Sequence, residues 1–251
     1  MKVVNWNVQW ATPGSARSPE ILCRIAGHSP DIVCLTETDR RLLSRLDGHL
    51  IVAGPAPGQE PTNNQRKVLL WSKRQWIEVD DVGSGGLPPG RFVAGTTDTP
   101  EGRVRVIGVC IPWHNSNVNV GAKDKTPWQD HSSYLDALSS TLAIRSPMPR
   151  IVMGDFNQQI GQRRRPYPPL SHPVRGELRE TMQSGRSPGL TIATAGLGLR
   201  GRRAIDHIAI SGELSAVSLT TIDNMDGNRR LSDHFGVVAD LSTRDTPQNP
   251  L

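Results

Sequence analysis

The stretch Ile151-Val152-Met153-Gly154-Asp155-Phe156-Asn157 passes from a run of apolar residues, the pattern of a buried β-strand, directly into a carboxylate and a carboxamide two residues apart. The same transition recurs at Asn5-Trp6-Asn7, Leu35-Thr36-Glu37, Ile205-Asp206-His207-Ile208 and Ser232-Asp233-His234. Each signature sits at or just after the end of a strand-like run. Side chains far apart in the chain are therefore expected to converge at one edge of a folded sheet, and that convergence points to an enzyme.

Working outward, extended segments are expected near 2–8, 31–36, 49–53, 67–72, 76–81, 91–97, 103–112, 150–154, 189–194, 204–210, 215–222 and 235–241. Helices are expected over 18–28, 38–46, 127–145 and 175–184. In the third helix Thr126 is placed to cap, Pro127 suits the first turn, and Leu135, Leu138 and Leu142 recur on one face. Strands and a few helices mix along the whole length without a composition break, so one α/β domain is expected over 1–241, with a polar tail at 242–251 that frays.

A chain of 251 residues with 36% hydrophobic content can bury a full core. Its three cysteines, Cys23, Cys34 and Cys110, lie in apolar runs and are expected to be buried, inert thiols in a reducing compartment. The chain opens almost at once on the strand-like Val3–Val8, which leaves no room for a leader peptide, and the expected location is cytoplasmic. No apolar run approaches the roughly 18 residues that span a bilayer, so no membrane insertion is expected. A net charge of +5, with only five lysines among 29 basic residues, suits a polyanionic partner, although an arginine-rich codon bias gives the same composition.

Taken singly, each signature has a plain alternative. Asp155 and Asn157 either face one mouth of a sheet or make a turn by bonding nearby backbone amides. Glu37 is either a solvated strand end or an oxygen ligand for a hard cation such as magnesium. Asp206 either fixes the tautomer of His234, so that the imidazole contacts a phosphate or moves a proton, or pairs with an arginine such as Arg203. His207 is expected to face away from Asp206, because strand side chains alternate. Together the clusters supply what metal-assisted phosphoester hydrolysis needs: a carboxylate for the cation, a group to aim or deprotonate water, an imidazole near the phosphate and carboxamides to orient it.

In content and order these signatures resemble those of the endonuclease/exonuclease/phosphatase superfamily, and they span residues 5 to 234. The resemblance implies a four-layer α/β/β/α sandwich of two packed, mainly antiparallel or mixed sheets, with the active site at one end. It implies magnesium, with manganese as a substitute, held by Glu37 with Asn7 beside the metal and phosphate and Asp233 near the metal or a second cation position. Asp155 would orient or activate the attacking water, Asn157 would support the phosphate, and His234, oriented by Asp206, would bind the scissile phosphate or act as acid or base. Many nuclease members carry a histidine or tyrosine where this chain has Cys110; His114, four residues on, is either a phosphate contact or leaving-group acid, or a surface-loop histidine.

The aromatic wedge common before Asp206 in apurinic-site enzymes is replaced by Arg202-Arg203-Ala204-Ile205, and the extended signature of the inositol 5-phosphatases is missing. Arg163 to Arg165, Arg175, Arg179, Arg200, Arg202 and Arg203 flank the Asp155 and Asp206 signatures, forming either a cationic rim for a nucleic-acid backbone or a solvated basic loop. Tyr167 or Trp113 is available to stack on a base. The expected substrate is nucleic acid, with a small phosphorylated molecule as the alternative and a catalytically silent nucleic-acid-binding module as a third reading, disfavoured by the intact acidic and histidine positions.

Overall fold

The computed structural model describes residues 1–55, 58, 60, 63–83, 86–118, 125–144, 146–161, 173–183 and 189–244. Its elements run β1 (Lys2–Ala11), α1 (Ser18–Gly27), β2 (Ile32–Asp39), β3 (His49–Val52), β4 (Gln65–Ser72), β5 (Ile77–Asp80), β6 (Phe92–Thr99) and β7 (Gly102–Cys110). They continue through α2 (Gln129–Leu142), β8 (Arg150–Asp155), α3 (Val174–Gln183), β9 (Thr191–Ile192), β10 (Gly198–Leu199) and β11 (Arg202–Arg203). The last are β12 (Asp206–Ile210), β13 (Leu214–Ile222), β14 (Met225–Asp226), β15 (Arg229–Arg230) and β16 (Gly236–Thr243).

Strand order is β13-β16-β1-β2-β4-β3 in one six-stranded sheet and β5-β6-β7-β8-β12-β9 in the other, with β10-β11 and β14-β15 as small ribbons. Each large sheet is mixed: β1 with β2 and β7 with β8 run parallel, and their other pairings are antiparallel. Alternation over Val3–Val8 sends Val4, Trp6 and Val8 to the face covered by α1, while Val3 joins the core between the sheets. That central core includes Ile32, Val68, Val106, Met153, Ile208 and Val237, drawn from both sheets. On the far side, Tyr134, Leu138, Leu142, Leu178 and Met182 of α2 and α3 pack on Ile107, Val109 and Val152. The layers are therefore α/β/β/α, as the resemblance implied.

Four local expectations are corrected. Residues 38–46 form no helix: β2 stays paired with β4 through Asp39, whose carboxylate then accepts the Arg41 amide, and only isolated i→i+3 turns follow. The third helix starts at Gln129 without a Thr126 cap, because Trp128 takes a left-handed φ of 72° and packs its ring against His114 and His131. Cys34 and Cys110 are buried but Cys23 is exposed, lying on the outward face of α1. Strand β16 runs to Thr243, two residues past the expected end, paired there with Leu214; residues 245–251, most of the expected tail, lie outside the described residues. Among the described residues no helix is long and apolar enough to cross a membrane.

Candidate active site

The sheet topology brings the signatures to one end of the sandwich. Asn7 and Glu37 lie near the C-terminal ends of parallel β1 and β2, and Asp155 ends β8. Asp206, which opens antiparallel β12, is registered opposite Asp155, and His234 precedes β16, which is antiparallel to β1. Three hydrogen bonds, from two asparagine side chains, cross between the sheets near this end. Asn5 Nδ2 donates to Gly154 O at 2.9 Å and to His207 O at 3.2 Å, and Asn7 Nδ2 donates to Asp155 Oδ2 at 3.2 Å. The indole of Trp6 donates to His234 O at 2.9 Å from the other face of β1.

His234 Nδ1 meets Asp206 Oδ2 at 2.6 Å, which resolves the alternative of an Asp206–Arg203 pair; the Arg203 guanidinium instead reaches Gly196 O. Asp155, Asp206 and His234 each place a ligand-capable atom within 4.8 Å of the others. Burial disfavours a charged His234, but Asp206, then Asp155 and Asp233, outweigh it and raise its pKa to about 10. Burial pushes Asp206 up against the pull of His234, so one proton is held between the two across the neutral range. Burial also raises Asp155 to about 7, opposed by His234 and reinforced by Asp206 and Glu37. A carboxyl near neutrality beside an imidazolium is suited to exchanging a proton with water.

Asn157 donates its backbone N–H to Asp155 Oδ1 at 2.9 Å and its side-chain amide to Ile111 O at 2.8 Å, from a left-handed φ of 53°. It thereby ties the turn after β8 to the loop carrying Trp113 and His114. His114 is not a member of the Asp155–Asp206–His234 group; its ring packs between Trp113 at 4.9 Å and Trp128 at 5.6 Å, and burial lowers its pKa. Asp233 stands at the rim, its Oδ1 4.0 Å from His234 Nε2, with its N–H donated to Gln9 Oε1 and its carbonyl accepting from Arg202 at 2.7 Å. Glu37, at φ 47°, is paired with Lys67 Nζ at 2.7 Å. His207 faces away from Asp206, as expected, and bonds Thr194 and Gln158.

The donors at the mouth fit a hard divalent cation. Glu37, Asp155, Asp233 and Asn7 offer oxygen ligands only, and Glu37 already holds a positive charge. The imidazole Nδ1 is engaged with Asp206, which leaves Nε2 on the side of Asp233. Of the expected arginine rim, Arg202 and Arg179 are exposed, Arg200 is paired with Asp223, and Arg175 bonds Gln159 O; Arg163 to Arg165 and Tyr167 lie outside the described residues. Lys67, Trp10, Gln9 and the cross-sheet role of Asn5 escape a reading of the sequence. Their sole signal, a lysine at a strand start and polar residues in an N-terminal strand, carries no chemistry until the strands are aligned.

The model of the Endonuclease/Exonuclease/phosphatase family matches residues 4–234. No curated protein sequence matches the chain. Among solved structures, an AP endonuclease from Archaeoglobus fulgidus is similar with a TM-score of 0.69 at 15% identity, covering 96% of this chain and 98% of that one. The 3'-5' exonuclease (NExo) from Neisseria meningitidis gives 0.67 at 22% identity over 96% and 100%. The human Nocturnin catalytic domain with bound sulfate gives 0.64 at 21% identity over 97% and 93%. At these identities the likeness is one of fold.

Proposed function

The chain belongs to the Endonuclease/Exonuclease/phosphatase family, and from that premise we propose that residues 1–241 form one catalytic domain that hydrolyses phosphodiester bonds of nucleic acid with a divalent cation, magnesium or manganese. The observation that carries this reading is the Asp206–His234 bond of 2.6 Å beside Asp155, at the sheet end where Asn7 and Glu37 also arrive. Glu37, Asn7 and Asp233 are the residues that would hold the cation, which supplies neutralisation of phosphate charge when bound. Asp155 takes the proton of the attacking water. His234, held as imidazolium by Asp206, donates from Nε2 to the phosphate, with Asn7 and Asn157 supporting it. His114, on the loop tied to Asn157, is read as a phosphate contact or leaving-group acid.

Nucleic acid is favoured by the exposed Arg202 anchored on Asp233 and by Trp113, which is 50% exposed on the loop tied to Asn157. The ion pair of Arg200 with Asp223 reduces the free charge of that rim, which favours the second reading, a small phosphorylated substrate. Cleavage of supercoiled plasmid with magnesium at low and moderate salt, beside Asp155→Ala prepared identically, tests the assignment. Salt-sensitive nicking by wild type alone supports it. Turnover confined to small diesters such as bis(4-nitrophenyl) phosphate, insensitive to salt, would move it to the second reading.

A further inference from the structure

Lys67 belongs to the site although none of the signatures contains it. In the antiparallel β2–β4 ladder Thr36 pairs with Val68 and Thr38 with Arg66, so Glu37 and Lys67 stand directly opposite each other. The ladder is broken at that position by the left-handed φ of Glu37, 47°. A non-glycine residue there is strained, and such strain is retained where it aims a functional side chain. The ammonium lies 2.7 Å from Glu37 Oε1 and 4.7 Å from the ring centroid of Trp10, and both charged side chains are only about a quarter exposed. Trp10 is itself left-handed, at φ 58°, in the irregular segment of β1 between Asn7 and Ala11. Three adjacent strands, β1, β2 and β4, thus place Trp10, Glu37 and Lys67 in one row.

The surrounding charges give this row a purpose. Asp155, Asp206, Asp233 and Glu37 crowd the mouth, while His234 is committed to Asp206. Lys67 is the cation that compensates Glu37. An ammonium that close to a divalent cation would be strongly repelled, since like charges a few Å apart cost several kcal/mol even at an effective dielectric of about 20. Its four-carbon stem lets it move without disturbing the backbone. Resting on the reading of Glu37 as a metal ligand, we propose that Lys67 is the resident counter-ion of Glu37, competing with the metal for that carboxylate and passing to a substrate phosphate once the metal is bound.

The test reads binding directly. Manganese affinity is measured by electron paramagnetic resonance for wild type, Lys67→Met, Lys67→Arg and Glu37→Gln, with folding of each checked by circular dichroism. Inorganic phosphate is then titrated calorimetrically into the manganese-loaded proteins. Lys67→Met is expected to bind manganese about tenfold more tightly and phosphate about tenfold more weakly, with Lys67→Arg near wild type in both. Unchanged manganese affinity in Lys67→Met overturns the competition, and unchanged phosphate affinity overturns the transfer. If Glu37→Gln binds manganese as wild type does, the underlying metal assignment fails instead.

Discussion

At the scale of single residues, the proposed chemistry rests on the Asp206–His234 contact. The 2.6 Å bond to Nδ1 fixes the proton there, leaving Nε2 directed to the side of Asp233. Replacing the carboxylate by an amide keeps the size but removes the charge that stabilises the imidazolium. Asp206→Asn should therefore lower kcat about 100- to 10,000-fold. It should also move the alkaline limb of the pH–rate profile, assigned to His234, towards neutral pH; a variant with reduced kcat and an unshifted profile would show that Asp206 acts only through packing. In sequence the two residues belong to separate signatures, and Arg203 is a far nearer partner for Asp206 along the chain than His234. Only the folded arrangement, with Arg203 turned to Gly196, decides between them.

At the scale of elements, two strands are under special constraint. Gly154 of β8 has a φ of 147°, and a Cβ there would overlap the Val109 carbonyl of neighbouring β7. Gly154→Ala should cost about 3 kcal/mol by strand displacement and should displace the adjacent Asp155, seen as a lowered denaturation midpoint together with reduced activity. In β12, His207 is fully buried, its Nε2–H donated to Gln158 O and its Nδ1 accepting from Thr194. Burial lowers its pKa to about 4 from 6.5. The unfolded chain therefore binds the proton more readily, so the stability contributed by the neutral ring is complete above about 6.5 and is lost as pH falls towards about 4. Thermal melts between these limits should show less acid destabilisation in His207→Gln than in wild type, and a lower melting temperature at neutral pH. These strands were legible as apolar runs. The failed helix at 38–46 was not, because Leu42 and Leu43 fill the outer core with Leu46 packed against it, and the three- and four-residue steps to Leu46 imitate helical spacing although only isolated turns link them.

At the scale of the molecule, the candidate site is assembled because two sheets are held in register across the core. Asn5, with no exposed surface, carries that register through its bonds to Gly154 and His207. Asn5→Ala leaves two buried carbonyls without this donor and should cost about 2–3 kcal/mol in chemical denaturation, with a matching loss of activity. Wild-type stability in the variant would show that the clamp is dispensable. The same sandwich brings β1, β2 and β4 side by side, which is how Trp10 and Lys67 reach Glu37.

By itself the sequence determined a strand-rich α/β domain and the strand ends that bear the polar signatures, because hydrophobic periodicity and strand-end chemistry are local properties of a chain; the layered α/β/β/α arrangement followed only from the family that those signatures resemble. The tertiary structure alone decided that Asp206 holds His234, that Asn5 joins the sheets, that Trp128 interrupts the start of α2, and that Lys67 answers Glu37. Each of these is a contact between residues brought together by strand order, register or a left-handed turn. Such contacts depend on which strands become neighbours, and a one-dimensional pattern does not contain that information.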